Sequence, residues 1–202
     1  MELDHLTTLP SRADLALTGV TDMAVVQSSG GSVLYTTSRF GGGDLLAYRI
    51  DDAGGLRFLD SRPIGGGTQA GVTSKIEVVE GALLLTGAEN AALTRVSLTN
   101  DGRFGEASAV TGGDMPAQLL GTEMLDANGQ SYLYGLVRGA DSIGAWRLND
   151  DGTLSRISSE SGTGSEAGLT GLSVGYASGT PYLLAASAQD NALVSYEIDQ
   201  NG

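Results

Sequence analysis

Polar side chains recur at equivalent places along this chain: Arg39, then Glu89 with Asn90, then Arg138 with Asp141, then Gln189 with Asp190. An arginine can grip a carboxylate or phosphate through a planar two-pronged contact, so Arg39 and Arg138 are candidate anion holders. Glu89 is a candidate base or metal ligand. The plainer expectation is that these residues cap turns and pair with neighbouring acids, because repetition at matching places is what a recurring turn demands. No catalytic residue and no metal-ligand set is therefore assigned. With one His (His5) and no Cys, only Asp and Glu remain as conventional bases near neutral pH. Serines lie in expected loops and strands rather than at a strand-to-helix elbow, which gives a serine-hydrolase triad no support. Asn149-Asp150-Asp151-Gly152 offers hard oxygen ligands for calcium, yet lacks the alternating acids and distant Glu of an EF-hand loop and reads as hairpin-turn chemistry. Gly41-Gly42-Gly43 and Gly65-Gly66-Gly67 carry no Gly-Lys-Ser/Thr and open no helix, so they are not phosphate loops.

The elements that position these loops repeat. An apolar residue closes one recurring strand at Ile50, Leu98, Leu148 and Ile198, at intervals of 48, 50 and 50 residues. The strands themselves are 45–50, 93–98, 143–148 and 193–198. Before each lies a short apolar run (33–35, 83–85, 132–134, 182–184), and before that another (23–26, 76–79, 119–125, 172–174). After each anchor comes a turn rich in Asp, Asn and Gly, which supplies the positive φ of a tight hairpin. A fourth strand follows at 56–59, 103–104 and 154–157. No stretch carries sustained helical periodicity.

The expectation is an all-β fold, a β-propeller of four-stranded antiparallel blades, since a lone sheet with two apolar faces finds cover by stacking on its copies. The repeats fall at about 19–65, 71–113, 116–164 and 168–202 of one domain spanning 1–202. The segment 3–17 is expected to close the last of four blades. The alternative is an arc of a larger, seven- or eight-bladed ring completed by self-association.

Composition sets outer bounds. The chain has 202 residues, 31 of them Gly, with 11 basic against 24 acidic residues and a formal charge of −13. That charge opposes nucleic-acid backbones and anionic membranes, and no apolar run reaches the ~18 residues of a membrane helix. Met1-Glu2-Leu3-Asp4-His5 shows neither a basic region nor an apolar stretch, so no cleavable signal is read there. Two addresses remain open: extracellular, by way of a signal outside this segment, or cytoplasmic.

The phrases at 30–51 and 130–154, Gly-Gly-Ser-Val-Leu-Tyr and Gln-Ser-Tyr-Leu-Tyr-Gly among them, resemble the repeat of the lactonase-type β-propellers. That family includes 6-phosphogluconolactonase-like and carboxymuconate-cyclase-like proteins and is usually seven-bladed. The resemblance implies ligand binding near the channel mouth, and as one function a hydrolase or cyclase acting on a small carboxylated or phosphorylated lactone. A looser resemblance is to the repeat regions of secreted bacterial proteins with calcium-binding nonapeptides, which implies a calcium-dependent extracellular module. The reading the residues favour is a non-catalytic binding or interaction module, part of an exported protein on one account, with a protein or small molecule at the channel mouth. No cofactor is expected apart from that calcium alternative.

Overall fold

Short runs of alternating apolar and polar residues, punctuated by Gly, Asn and Asp, build strands because each pleat presents one face to a core and one to water. The computed structural model describes residues 5–9, 17, 19–38, 44–64, 73–87, 93–112, 115, 119–137, 142–161, 168–199, 201 and 202, and among these every regular element is a strand.

Four antiparallel sheets follow one another along the chain. The first is β1 (Val20–Ser28), β2 (Gly31–Ser38), β3 (Leu45–Ile50) and β4 (Leu56–Arg62), paired in that order. The second is β5 (Thr73–Val79), β6 (Ala82–Gly87), β7 (Leu93–Leu98) and β8 (Phe104–Val110). The third is β9 (Leu119–Ala127), β10 (Gln130–Val137), β11 (Ser142–Leu148) and β12 (Leu154–Ser161). The fourth holds β13 (Leu169–Ala177), β14 (Thr180–Ser187) and β15 (Ala192–Glu197). Each repeat thus forms one up-and-down meander.

The copies match in detail. The turn after the third strand of every sheet carries a glycine at positive φ: Gly54 at 79°, Gly102 at 85°, Gly152 at 81° and Gly202 at 91°. Each glycine donates its N–H to the carbonyl three residues back, on Asp51, Thr99, Asn149 and Asp199. A residue with a Cβ is strained in that conformation, which is why glycine recurs there. The first and third sheets share a bulge as well, between Ala47 and Tyr48 and between Ala145 and Trp146.

The chain divides into two compact units, Met1–Leu85 with Thr94–Ala109, and Thr86–Leu93 with Val110–Gly202. In the first, Val33, Tyr35, Leu45, Ala47, Ile64, Ile76, Leu83, Leu85 and Val96 form the core, with Phe104 and Ala107 of β8 packed on it. In the second, Leu125, Tyr132, Tyr134, Leu136, Ile143, Ala145, Leu169, Leu183, Ala185 and Ile198 do so. Full burial of such a side chain stabilises by about 1.5–3 kcal/mol, so each core is the main source of its unit's stability.

Of the segment 3–17 expected to close the last blade, residues 5–9 and 17 are described and carry no strand, and the others lie outside the described residues. His5 hydrogen-bonds Thr8 at 2.9 Å, and Leu6 lies against Gly54 in the β3–β4 turn. Glycine leaves room over that turn for Leu6, whose side chain stays largely exposed. Among the described residues the fourth sheet has three strands, and β15 is its edge.

Candidate functional site

The second unit contains a cleft of about 260 Å³ lined by Tyr134, Ile143, Ala145, Ser158, Leu183, Tyr196, Glu197, Ile198, Asp199 and Gly202. Strand alternation places its floor. Tyr134 on β10 pairs with Ala145 on β11, and Ala145 pairs with Ser158 on β12, so one face of the third sheet supplies these three. Leu183 on β14 pairs with Tyr196 on β15, and these come from the fourth sheet. Ile198 donates its N–H to the Pro181 carbonyl at 3.0 Å, which holds the turn carrying Asp199 over the cleft.

The first unit shows what such a place looks like when filled. Residues 83, 96, 98 and 102 correspond to 183, 196, 198 and 202 at an offset of 100. The pairing registers match Tyr35 with Tyr134, Ala47 with Ala145 and Asp60 with Ser158. In the first unit the Tyr35 hydroxyl donates to the Gly102 carbonyl at 2.7 Å, and its ring meets Phe104 at 5.6 Å between centroids. Phe104 donates its N–H to Asp60 Oδ2 at 3.0 Å, Arg103 Nη1 donates to the Leu59 carbonyl at 2.7 Å, and Arg62 donates to the Gly105 carbonyl. An aromatic side chain and the start of β8 therefore occupy the first unit's version of the cleft.

In the second unit the Tyr134 hydroxyl is buried with no hydrogen-bond partner. An unmade bond of that kind costs about 1–3 kcal/mol. Burial, reinforced by Tyr132 and Asp199, pushes the Tyr134 phenol up to about 12. Burial also raises Tyr35 to about 12, with Arg49 pulling in the opposite direction. Both phenols are thus held neutral in the folded state beyond their ordinary value near 10. Their stabilising contribution is full below pH 10 and is lost as pH rises toward and through 12. Titration of the phenolate absorbance should show these two tyrosines ionising last, together with the loss of β-sheet circular dichroism. Their ionisation at pH 10 in a folded protein would contradict this.

Of the residues singled out from sequence, Gln189 and Asp190 are described, and they shape a turn. Asp190 donates its N–H to Ser187 Oγ at 3.0 Å, and Gln189 packs beside Gly168. Neither lines the cleft. Arg39, Glu89, Asn90, Arg138 and Asp141 lie outside the described residues. Asn149-Asp150-Asp151-Gly152 is a hairpin turn in which Thr153 donates to the Asp151 carboxylate through its hydroxyl at 2.6 Å, the main cause of that acid's lowered pKa. Among the described residues no group of three or more His, Cys, Asp or Glu gathers as a metal site would require, and no helix is long and apolar enough to cross a membrane. One pentapeptide, Gly171-Leu172-Ser173-Val174-Gly175, has the spelling of a serine-hydrolase elbow. It runs straight along β13 with Ser173 paired to Leu184, so the sharp turn that would expose a nucleophile is missing.

No protein-family model and no curated protein matches the chain. Solved structures do. A Bacteroides uniformis protein described as a candidate 6-phosphogluconolactonase superposes with a TM-score of 0.53 at 18% identity, over 87% of this chain and 55% of that one. A periplasmic gluconolactonase of Pseudomonas aeruginosa gives 0.52 at 11% identity, over 89% and 68%. A GH43 β-xylosidase/α-arabinofuranosidase from a compost metagenome gives 0.55 at 11%, over 88% and 69%. The fold is a β-propeller, as in these structures. The chain spans little more than half the length of the Bacteroides protein, and at these identities the likeness concerns the fold, while chemistry depends on residues placed upon it.

Proposed function

We propose that this chain is a non-catalytic propeller module that binds a partner or ligand by taking an apolar or aromatic group into the cleft of its second unit. The observation that carries this reading is the cleft of about 260 Å³ walled by Tyr134, Ile143, Ala145, Leu183 and Tyr196. A concave, mainly apolar lining of this kind makes a binding pocket. Glu197 and Asp199 add negative charge to its lining, which favours a ligand that also carries a cation.

Phenethylamine, an aromatic ring with an ammonium group, is a direct probe. It should bind with an affinity of roughly millimolar order, as ligand-efficiency bounds allow for so small a molecule. Chemical-shift changes should centre on Tyr134 and Tyr196. Ser158 is exposed on β12 at the cleft's edge, so Ser158→Phe should fill the space and abolish binding while leaving the thermal midpoint within a few degrees. A panel of five- and six-membered lactones, carboxylated and phosphorylated, should show no turnover above background. Turnover that Ser158→Phe abolishes would replace this reading with the hydrolase alternative that the structural neighbours suggest.

A further inference from the structure

We propose that Asn128 is a site of spontaneous covalent change, losing its side-chain amide to attack by the Gly129 main-chain nitrogen and leaving aspartate or isoaspartate between β9 and β10. The turn lines no part of the cleft described above. The chain contains four Asn-Gly or Asp-Gly pairs: Asp101-Gly102, Asn128-Gly129, Asp151-Gly152 and Asn201-Gly202. Glycine in second place opens each of them to this reaction, because no side chain shields the attacking nitrogen. Their surroundings then rank them.

In three pairs the glycine nitrogen is engaged. Gly102, Gly152 and Gly202 donate that N–H to the carbonyls of Thr99, Asn149 and Asp199 at 2.8, 2.8 and 3.2 Å. Asp101 and Asp151 are engaged as well, each accepting a threonine hydroxyl at 2.6 Å, from Thr99 and from Thr153. Those bonds are the main cause holding both carboxyls below their ordinary pKa, so each stays an ionised carboxylate and a poor electrophile. Asn128-Gly129 differs on every count. The pair forms a two-residue hairpin turn at φ 54° and 75°, between Ala127 and Gln130, which face each other across the ladder. Among the described residues, neither the Asn128 amide nor the Gly129 N–H has a hydrogen-bond partner. Asn128 is exposed, and nothing lies within 4 Å of where a Gly129 Cβ would stand, so the turn has room to swing the nitrogen onto Cγ.

The Gly129 nitrogen gives its proton to hydroxide and bonds to Asn128 Cγ, while the Cγ–Nδ2 bond breaks and Nδ2 takes a proton from water and leaves as ammonia. Water then opens the five-membered imide, at Cγ to give aspartate or at the main-chain carbonyl to give isoaspartate. Either product adds a negative charge to a chain already at −13. Isoaspartate also lengthens the main chain by one atom. A two-residue turn carrying that atom loses the Ala127–Gln130 register, and Ala127 packs on the core of the second unit.

The test incubates the full chain at mildly alkaline pH, folded and in parallel unfolded in guanidinium, and follows each pair by peptide mapping. Folding should leave the Asn128 rate within about threefold of its unfolded value but slow isoaspartate formation at Asp101 and Asp151 about tenfold, the factor of one hydrogen bond that must break first. Asn128→Ser should remove the new acidic species and keep the turn, because Ser178-Gly179 already makes the corresponding turn between β13 and β14 at φ 52° and 85°. The isoaspartyl fraction should unfold at a lower temperature than Asn128→Asp, which adds the charge alone. Folding that slows Asn128 as much as the two aspartates would overturn the proposal. So would an acidic species that forms at the parent's rate in Asn128→Ser. An isoaspartyl fraction as stable as Asn128→Asp would overturn the loss of register.

Discussion

Trp146→Ala is expected to lower the unfolding free energy by about 3–5 kcal/mol, the range for deleting a large aromatic side chain from a packed interior. Trp146 is fully buried on β11. Its ring lies over Gly144 on its own strand and beside Gly135 on β10, and these two glycines face each other as a cross-strand pair. A Cβ at residue 144 would collide with the indole, so the glycine pair exists to seat it. Urea unfolding followed by far-ultraviolet circular dichroism measures the loss. Trp146→Phe is the informative companion. The indole N–H is buried without a partner, and Phe removes that unsatisfied donor while keeping most of the ring. The Phe variant should therefore lie within about 2 kcal/mol of the parent, as partial retention of volume predicts. An Ala variant as stable as the parent would show that the seat collapses around the vacancy or that the ring contributes little.

Gly102→Ala is expected to destabilise by about 2–4 kcal/mol, combining a positive-φ penalty with overpacking. Residue 102 sits at φ 85°, and a Cβ there would stand 2.7 Å from Val33 Cγ2 and 3.2 Å from the Tyr35 hydroxyl. The displaced turn would also break the bond from that hydroxyl to the Gly102 carbonyl. Gly81→Ala separates the two causes. Gly81 has φ 64° but open space where its Cβ would go, so it incurs the backbone penalty alone, about 1–2 kcal/mol. Equal losses in the two variants, measured by the same urea titration, would mean that the joint between the first and second sheets adds nothing at this turn.

The architecture was legible because its two signals are local and repeated. The apolar anchors at 48- to 50-residue intervals and the glycine turns behind them located the third strands almost to the residue, as with 45–50 and 93–98. Outer strands were read too short: 103–104 became Phe104–Val110, because Gly105, Ala107 and Ala109 give no strand pattern and are ordered by tertiary packing and ladder pairing. Of the expected closing segment 3–17, residues 5–9 and 17 are described and carry no strand, with Leu6 beside Gly54 and largely exposed.

The cleft was far less visible. Tyr134 and Tyr196 read as ordinary packing residues and Asp199 as turn chemistry, each correct for its own neighbourhood. What distinguishes the site is a difference between copies, Asp60 against Ser158 and Val96 against Tyr196, and a difference becomes meaningful only after pairing registers show which residues correspond. Gln189 and Asp190 stood out because they recur in the same loop position, and recurrence selects for scaffold.

The two units fasten their sheets by different means. In the first, Arg49, Arg103 and Asp60 tie neighbouring strands and turns with hydrogen bonds that have direction, including Asp22 Oδ2 receiving the Ile76 N–H at 2.8 Å. In the second, Ser158 stands where Asp60 would be, and Arg147 bonds Asn149 on its own hairpin. Contacts between greasy surfaces tolerate sliding, whereas oriented bonds snap or hold. Bonds such as those of Asp60 and Asp22 must break before the sheets of the first unit can part, so that seam opens in one cooperative step rather than by gradual slippage.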